Sequence, residues 1–318
     1  MTAVAVEFKN VCKHFPEAEV NAVSHVSLKI NQGEFITILG TSGSGKTTLM
    51  KMVNRLHDIT SGDIFFFGEN INSLPVVEYR RKIGYVVQQG GLFPHMTVAE
   101  NIAVVPHILK WDKEKIDARV DELLEMVGLK KELYKDRYPR QLSGGQQQRI
   151  GIARAMASDP AVMLMDEPFG AIDAITRENL QDELLRIQKA LHKTILFVTH
   201  DISEAFKLGD RVIVMHEGKV QQFDTPDRIM LHPANDFVAK FVSADDVMKK
   251  LQVLKVHTIM DGLSIKTSNQ LAVAHVDDTL ETLLKLFMTS STQTVLVKDD
   301  KDKIVGEVSW HRLSAIAS

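Results

Sequence analysis

Cysteine is almost missing from this chain: Cys12 stands alone among 318 residues. No intrachain disulfide can form, which fits a reducing cytoplasm. Nor does any stretch approach the ~20 apolar residues of a membrane span. The N-terminus has no leader-like pattern, because Met1 to Val11 alternates as a strand. Charge is nearly balanced, with 38 basic against 41 acidic residues and a formal net charge of −3. That gives no support to a general nucleic-acid binder. What is present, 44% hydrophobic and 25% charged, suffices for one large core plus an appendage.

Two glycine-rich anion cradles are present. Gly40-Thr41-Ser42-Gly43-Ser44-Gly45-Lys46-Thr47 matches G-x-x-x-x-G-K-[ST] at every fixed position. The apolar run Phe35 to Leu39 reads as a buried strand feeding this loop, and Thr47 to Arg55 as the helix leaving it. Glycines let backbone wrap a phosphate without Cβ clashes, so successive N–H groups and the helix dipole face the anion. Lys46 is expected to reach the β and γ phosphates, Thr47 to place its hydroxyl on Mg²⁺, and Thr48 to join the ATP-binding set. The second cradle, Leu142-Ser143-Gly144-Gly145-Gln146, opens its own helix. One chain needs one nucleotide cradle, so the spare one points to an ATPase completed by a second copy.

Val162-Met163-Leu164-Met165-Asp166-Glu167 adds the catalytic half. Four apolar residues predict a central parallel strand buried on both faces, and its end delivers two carboxylates to the ligand-binding edge. Asp166 is expected to hold Mg²⁺, and Glu167 to polarise the attacking water as general base. His200 follows another apolar run, Thr194 to Val198, and reaches the same edge.

With these motifs in this order, the chain resembles the nucleotide-binding subunits of ABC transporters over about residues 3 to 240. The resemblance implies an α/β fold: a P-loop NTPase core of the ABC type with a helical subdomain. It gives Phe15 the role of stacking on adenine, against the alternative of a core aromatic. Gln88, with Gln89 as the other choice, links Mg²⁺ and the attacking water to the membrane partner. Ser143, Gly144, Gly145 and Gln146 grip the opposite protomer's γ phosphate, Asp173 communicates across the dimer, and His200 contacts the γ phosphate. The cofactors implied are ATP and Mg²⁺. Phe93, Met96 and their neighbours are candidates for a groove that receives a short helix of the permease. The residues Ile116, Val120, Leu123, Leu124 and Val127 recur at helical spacing and read as core. Arg149 and Arg154 read as structural.

The expected domains are an ATPase at 1–242, with a helical subdomain near 92–158, a linker at 243–270 and a small α+β module at 271–318. In the last, Leu271 to Val276, a helix capped by Asp278 with Glu281 three residues on, and strands Thr294 to Val297 and Ile304 to Val308 give a β-α-β-β order. Ending Gly306-Glu307-Val308-Ser309, this order resembles a cystathionine-β-synthase-type (CBS) regulatory module, in a single copy. Arg312 replaces the aspartate with which such modules bind ribose, so dimerisation, an anionic ligand or plain packing stay open for it.

The segment Ile83 to Val98 resembles osmoprotectant importers, implying uptake of glycine betaine, carnitine or choline. Another small zwitterion or an amino acid is the near alternative, and a soluble ABC ATPase acting on ribosomes or DNA the distant one. The second core or long coiled coil of those last relatives is lacking here. The implied partners are a second copy head to tail across ATP, transmembrane permease subunits and, indirectly, an extracytoplasmic solute-binding protein. Sensing of ionic strength or a cyclic dinucleotide is implied for the module, no nucleic-acid partner is expected, and the location is the cytoplasmic face of the membrane.

Overall fold

A computed structural model describes residues 3–87, 91–170, 172–244, 246–263, 272–290 and 292–316. The chain forms two compact units, Met1–Val220 and Gln221–Ser318. That division falls ahead of the 242 expected from sequence.

The first unit begins with strands β1 (Val4–Lys13) and β2 (Val23–Asn31). Next come β3 (Phe35–Gly40), β4 (Ser61–Phe66) and β5 (Glu69–Asn70). They are followed by β6 (Ile83–Val86), β7 (Val162–Asp166), β8 (Thr194–Val198) and β9 (Arg211–His216). Strand β10 (Lys219–Asp224) straddles the division. An antiparallel sheet runs β2-β1-β4-β5, and a six-stranded sheet runs β10-β9-β3-β8-β7-β6. From β9 to β6 the second sheet is parallel.

Strands β3, β7 and β8 are buried along their whole length. Continuous apolar runs are what a sheet covered on both faces requires. Helices Val98–Ile108, Lys113–Met126, Gly144–Met156 and Ala174–Leu191 contribute to one core with this sheet, including Phe35, Phe197, Met163, Ile150 and Leu184. The five residues read at helical spacing, Ile116 to Val127, all belong to it. The register sets Val198 of β8 beside Ile38 of β3 on one side and Asp166 of β7 on the other. Three neighbouring strands thus deliver their following loops to one edge, where chain order reverses around β3, the position open α/β sheets use for ligands. No helix among the described residues is long and apolar enough to cross a membrane.

In the second unit, β11 (Val273–His275) pairs parallel with β12 (Thr294–Lys298), which pairs antiparallel with β13 (Ile304–Ser309). The helix Leu280–Ser290 lies between β11 and β12 in the chain. The β-α-β-β order agrees with expectation, but the cap does not. Thr279 Oγ1 accepts the Thr282 amide at 3.2 Å, while Asp278 turns back to accept from His275 N–H at 2.7 Å. Asp278 is therefore a turn residue, and its neighbour does the capping. Among the described residues of the expected linker are the helix Val247–Val253 and Asp261, which forms a bridge with Glu307.

Candidate active site

Two glycines shape the loop after β3. Gly45 precedes the helix Lys46–Val53 with a φ of 98°, and a Cβ there would lie 2.2 Å from the Ala22 carbonyl oxygen. A Cβ on Gly40 would stand 2.3 Å from the carbonyl oxygen of Met215. No other residue fits either place. The stretch Ser42 to Thr48 then lines a cleft of about 460 Å³, facing Ala22, Glu167 and His200.

Inside that cleft the polar side chains differ in how they are satisfied. Ser44 Oγ is buried and has no hydrogen-bond partner. Lys46 is buried too, and its Nζ donates to the carbonyl oxygens of its own loop, Gly40 at 2.8 Å and Thr41 at 2.9 Å. Burial holds this ammonium below the usual lysine range, against the pull of Glu167 and Asp166. A buried hydroxyl without an acceptor is costly, and an oxyanion seated in the loop would supply one.

Asp166 ends β7 as a buried carboxylate, and Thr47 Oγ1 donates to its Oδ1 at 2.9 Å. Burial pushes its pKa up, opposed by the Thr47 hydrogen bond and by Lys51. A hydroxyl beside a carboxylate is the hard-oxygen pairing that Mg²⁺ takes, so the residues fit that ion. Glu167 follows with a φ of 44°, the left-handed region that a glutamate seldom enters. Its amide donates to the Val198 carbonyl oxygen at 3.0 Å, and its Oε2 lies 3.2 Å from Nδ1 of His200. Strained backbone of this kind clusters at functional sites.

Comparison with known proteins decides the family. Residues 23–170 match the family described as ABC transporter. The choline transport ATP-binding protein OpuBA of Bacillus subtilis (strain 168) is 47% identical over 302 residues, 94% of this chain and 77% of that protein. The chain belongs to the ABC transporter family. The glycine betaine uptake system ATP-binding protein YehX of Escherichia coli (strain K12) is 43% identical over 97% of this chain and 98% of its own length. Among solved structures, the dimeric post-hydrolysis state of the ATP-binding cassette MJ0796 bound to ADP and Pi is 37% identical. It superposes with a TM-score of 0.62 and covers 69% of this chain and 98% of that one.

As an ABC ATPase the chain hydrolyses ATP, and its second cradle lies apart from the first. Ser143 caps the helix Gly144–Met156, its Oγ accepting the Gln146 amide at 3.3 Å while Gln146 Oε1 accepts the Ser143 amide at 3.0 Å. None of Ser143, Gly144, Gly145 and Gln146 lines the P-loop cleft. A Cβ on Gly144 would meet open space, whereas one on Gly145 would lie 2.8 Å from Thr176 Cγ2. Asp173 caps the helix Ala174–Leu191 and accepts the Thr176 amide at 3.0 Å. Hydrogen bonding to that backbone holds its carboxyl below the usual range.

Phe15 is half-buried and meets His57 edge-on at 5.4 Å, so it is not a core aromatic, and it lies outside the cleft lining. Gln88 and Gln89 lie outside the described residues. Phe93 lines an apolar groove of about 490 Å³ with Val77, Ile83, Val104 and Ile108, but Met96 does not. Arg154 lines that groove as well, donating to the Gly91 carbonyl oxygen with its guanidinium 5.4 Å from the Phe93 ring centre. Arg149 ties the Val127 carbonyl oxygen to Glu183.

Sequence reasoning missed Asn101, which is fully buried. Its side chain accepts the Phe93 amide at 2.8 Å and donates to the carbonyl oxygens of Phe93, Met96 and Thr97, holding the groove loop in shape. A lone amide in the apolar helix Val98–Ile108 is the signal that could have found it.

Proposed function

We propose that this chain is the ATP-hydrolysing subunit of an importer for quaternary-ammonium osmoprotectants: glycine betaine, carnitine and choline. One observation carries the reading: Lys46, Asp166, Glu167 and His200 meet at the ends of three adjacent strands, in a chain related to ATP-binding proteins named for transport of those solutes. In this reading the loop amides, Ser44 and Lys46 bind the β and γ phosphates, and Phe15 stacks on the adenine. Thr47 and Asp166 would hold Mg²⁺, with Gln88 as a further ligand; the ion, when bound, neutralises phosphate charge. Glu167 accepts the proton of the attacking water as its oxygen bonds to the γ phosphorus and the bond to the ADP oxygen breaks. His200, beside Glu167, contacts the γ phosphate.

Ser143, Gly144, Gly145 and Gln146 stand outside the cleft, and we assign them to the γ phosphate bound by a second copy, head to tail. Asp173 communicates across that pair. ATP then favours the closed pair and ADP the open one, a population shift driven by the charge that leaves with phosphate. Phe93 and its groove receive a short permease helix at the cytoplasmic face of the membrane, an apolar groove being suited to such a partner. A solute-binding protein outside the cell delivers the cargo. The stretch 271–318 is read as a single CBS-like module that senses ionic strength or a cyclic dinucleotide.

The test is ATP-dependent uptake of labelled betaine, carnitine and choline by the complete transporter across a range of internal salt. Uptake of at least one, abolished by Lys46→Ala, is expected. Transport only of another zwitterion or amino acid would change the assigned cargo. Association with ribosomes or DNA in place of membrane subunits would overturn transport itself.

A further inference from the structure

The first turn of the helix Ala174–Leu191 touches three functional loops at once. Asp173 caps it, and Thr176 on the same turn packs against Gly145 of the second cradle, with Cγ2 2.8 Å from where a Cβ would be. Arg177 follows, and its guanidinium spans two further segments. Nη2 donates to the Ile172 carbonyl oxygen at 3.0 Å, and Nη1 lies 3.7 Å from Oδ2 of Asp201, the residue after His200.

The loop carrying His200 is fastened to this helix a second time, lower down. Asp201 N–H donates to Thr199 Oγ1 at 3.0 Å, and Asp201 Oδ1 accepts the Glu204 amide at 3.1 Å to start the helix Ile202–Leu208. Glu204 is buried, and Gln181 Nε2 donates to its Oε1 at 3.1 Å. Gln181 is four residues beyond Arg177, on the same face of the helix. His200, largely exposed itself, is held by its flanking residues and by the 3.2 Å contact of its Nδ1 with Glu167.

We propose that Arg177 is a positioning residue for ATP hydrolysis: by bridging Ile172 and Asp201, it fixes His200 relative to the segment that precedes its helix. This inference rests on the reading that His200 serves the γ phosphate. Both partners of the ion pair are substantially exposed, 33% for Arg177 and 40% for Asp201, so the pair contributes little to stability. Its effect belongs instead to alignment, where small displacements of a reacting group cost large factors in rate. Movement of Asp173 or Gly145, at the face given to a second copy, reaches His200 through the same turn.

The test compares steady-state ATPase activity of the full chain for Arg177→Gln, His200→Ala and the double variant. Arg177→Gln is expected to lower kcat about tenfold with KM for ATP and the melting temperature unchanged, since alignment and not binding is lost. In the His200→Ala background the same substitution should change kcat less than twofold, because there is no longer an imidazole to place. Asp201→Asn cuts the same ion pair from the other side while keeping a competent cap, and should reproduce the drop. Equal losses from Arg177→Gln in both backgrounds, or no loss in either, would overturn the proposal while leaving the role of His200 intact. Full activity of His200→Ala alone would overturn both.

Discussion

The P-loop cleft of the first unit and the surface ion pairs of the second hold their charged residues in opposite ways. In the first, Lys46 and Asp166 are buried, Ser44 Oγ has no hydrogen-bond partner, and Glu167 sits on left-handed backbone. In the second, ion pairs close upon themselves at the surface: Arg312 with Asp261, Lys298 with Asp302 and Lys285 with Glu281. Polar groups that folding buries without partners carry a cost that an external ligand can relieve. Groups that satisfy one another in solvent need none. The contrast separates a region whose chemistry is written into its strain from one whose architecture is all that can be read.

The sharpest way to break this comparison is Glu167→Gln. If the carboxylates at the end of β7 are catalytic, this variant should lose roughly 10²–10⁴-fold in kcat, the range for removing a general base. ATP binding should survive, and a long-lived ATP-bound dimer should appear by size-exclusion chromatography. Turnover at the parent's rate would remove Glu167 from the mechanism.

Gly45→Ala asks whether the cradle or its charges matter first. The added methyl would meet Ala22 backbone at 2.2 Å on a residue with φ of 98°. Strained backbone of this kind costs about 1–3 kcal/mol, so the loop should shift, the melting temperature should fall by several degrees and nucleotide affinity should drop. An unchanged ATP affinity would mean that the cradle tolerates what its geometry forbids.

These same positions explain what could be read before the fold was known. The P-loop was legible because its constraint is local: glycine spacing, a strand before and a helix after. The pair Asp166-Glu167 was legible because an apolar strand must end somewhere, and here it ends on two carboxylates. What could not be read is whatever depends on distant backbone. The carbonyls of Ala22 and Met215 make Gly45 and Gly40 obligatory, yet neither belongs to a motif. Arg177 looks like any helical arginine until Asp201 is placed beside it. Asp278 and Thr279 are both able caps, one residue apart, and only the competing demand of the His275 amide chose between them. Asn101 shows the same limit, since its four hydrogen bonds go to Phe93, Met96 and Thr97, in a loop that sequence described only as apolar.

Two carboxylates, Glu204 and Asp261, should also answer differently to pH. Burial raises the pKa of Glu204 in the first unit, ahead of opposing hydrogen bonds from Thr199 and Gln181. A carboxylate whose folded value is raised binds more protons in the folded state, so its contribution weakens folding as pH climbs. That cost is absent below the ordinary glutamate value of about 4.3 and grows until pH passes the raised value. Glu204→Gln removes the titration, and its melting temperature should fall less than the parent's as pH rises from 5 to 8. A parallel decline in both proteins would show that other groups set the slope.

Asp261 carries the opposite sign and the smallest expected effect. The hydrogen bonds and charge of Arg312 hold its carboxyl below the usual range, so its stabilisation is present at neutral pH and lost as pH falls through the depressed value. Both side chains are exposed, which keeps the energetic consequence slight. Arg312→Ala should return the Asp261 titration, followed by carboxyl NMR, to the ordinary aspartate range, while basal ATPase activity and overall stability stay within error of the parent. A fall in ATPase activity would mean that this surface pair belongs to the hydrolytic cycle, and the contrast between the cleft and these surface pairs would no longer hold.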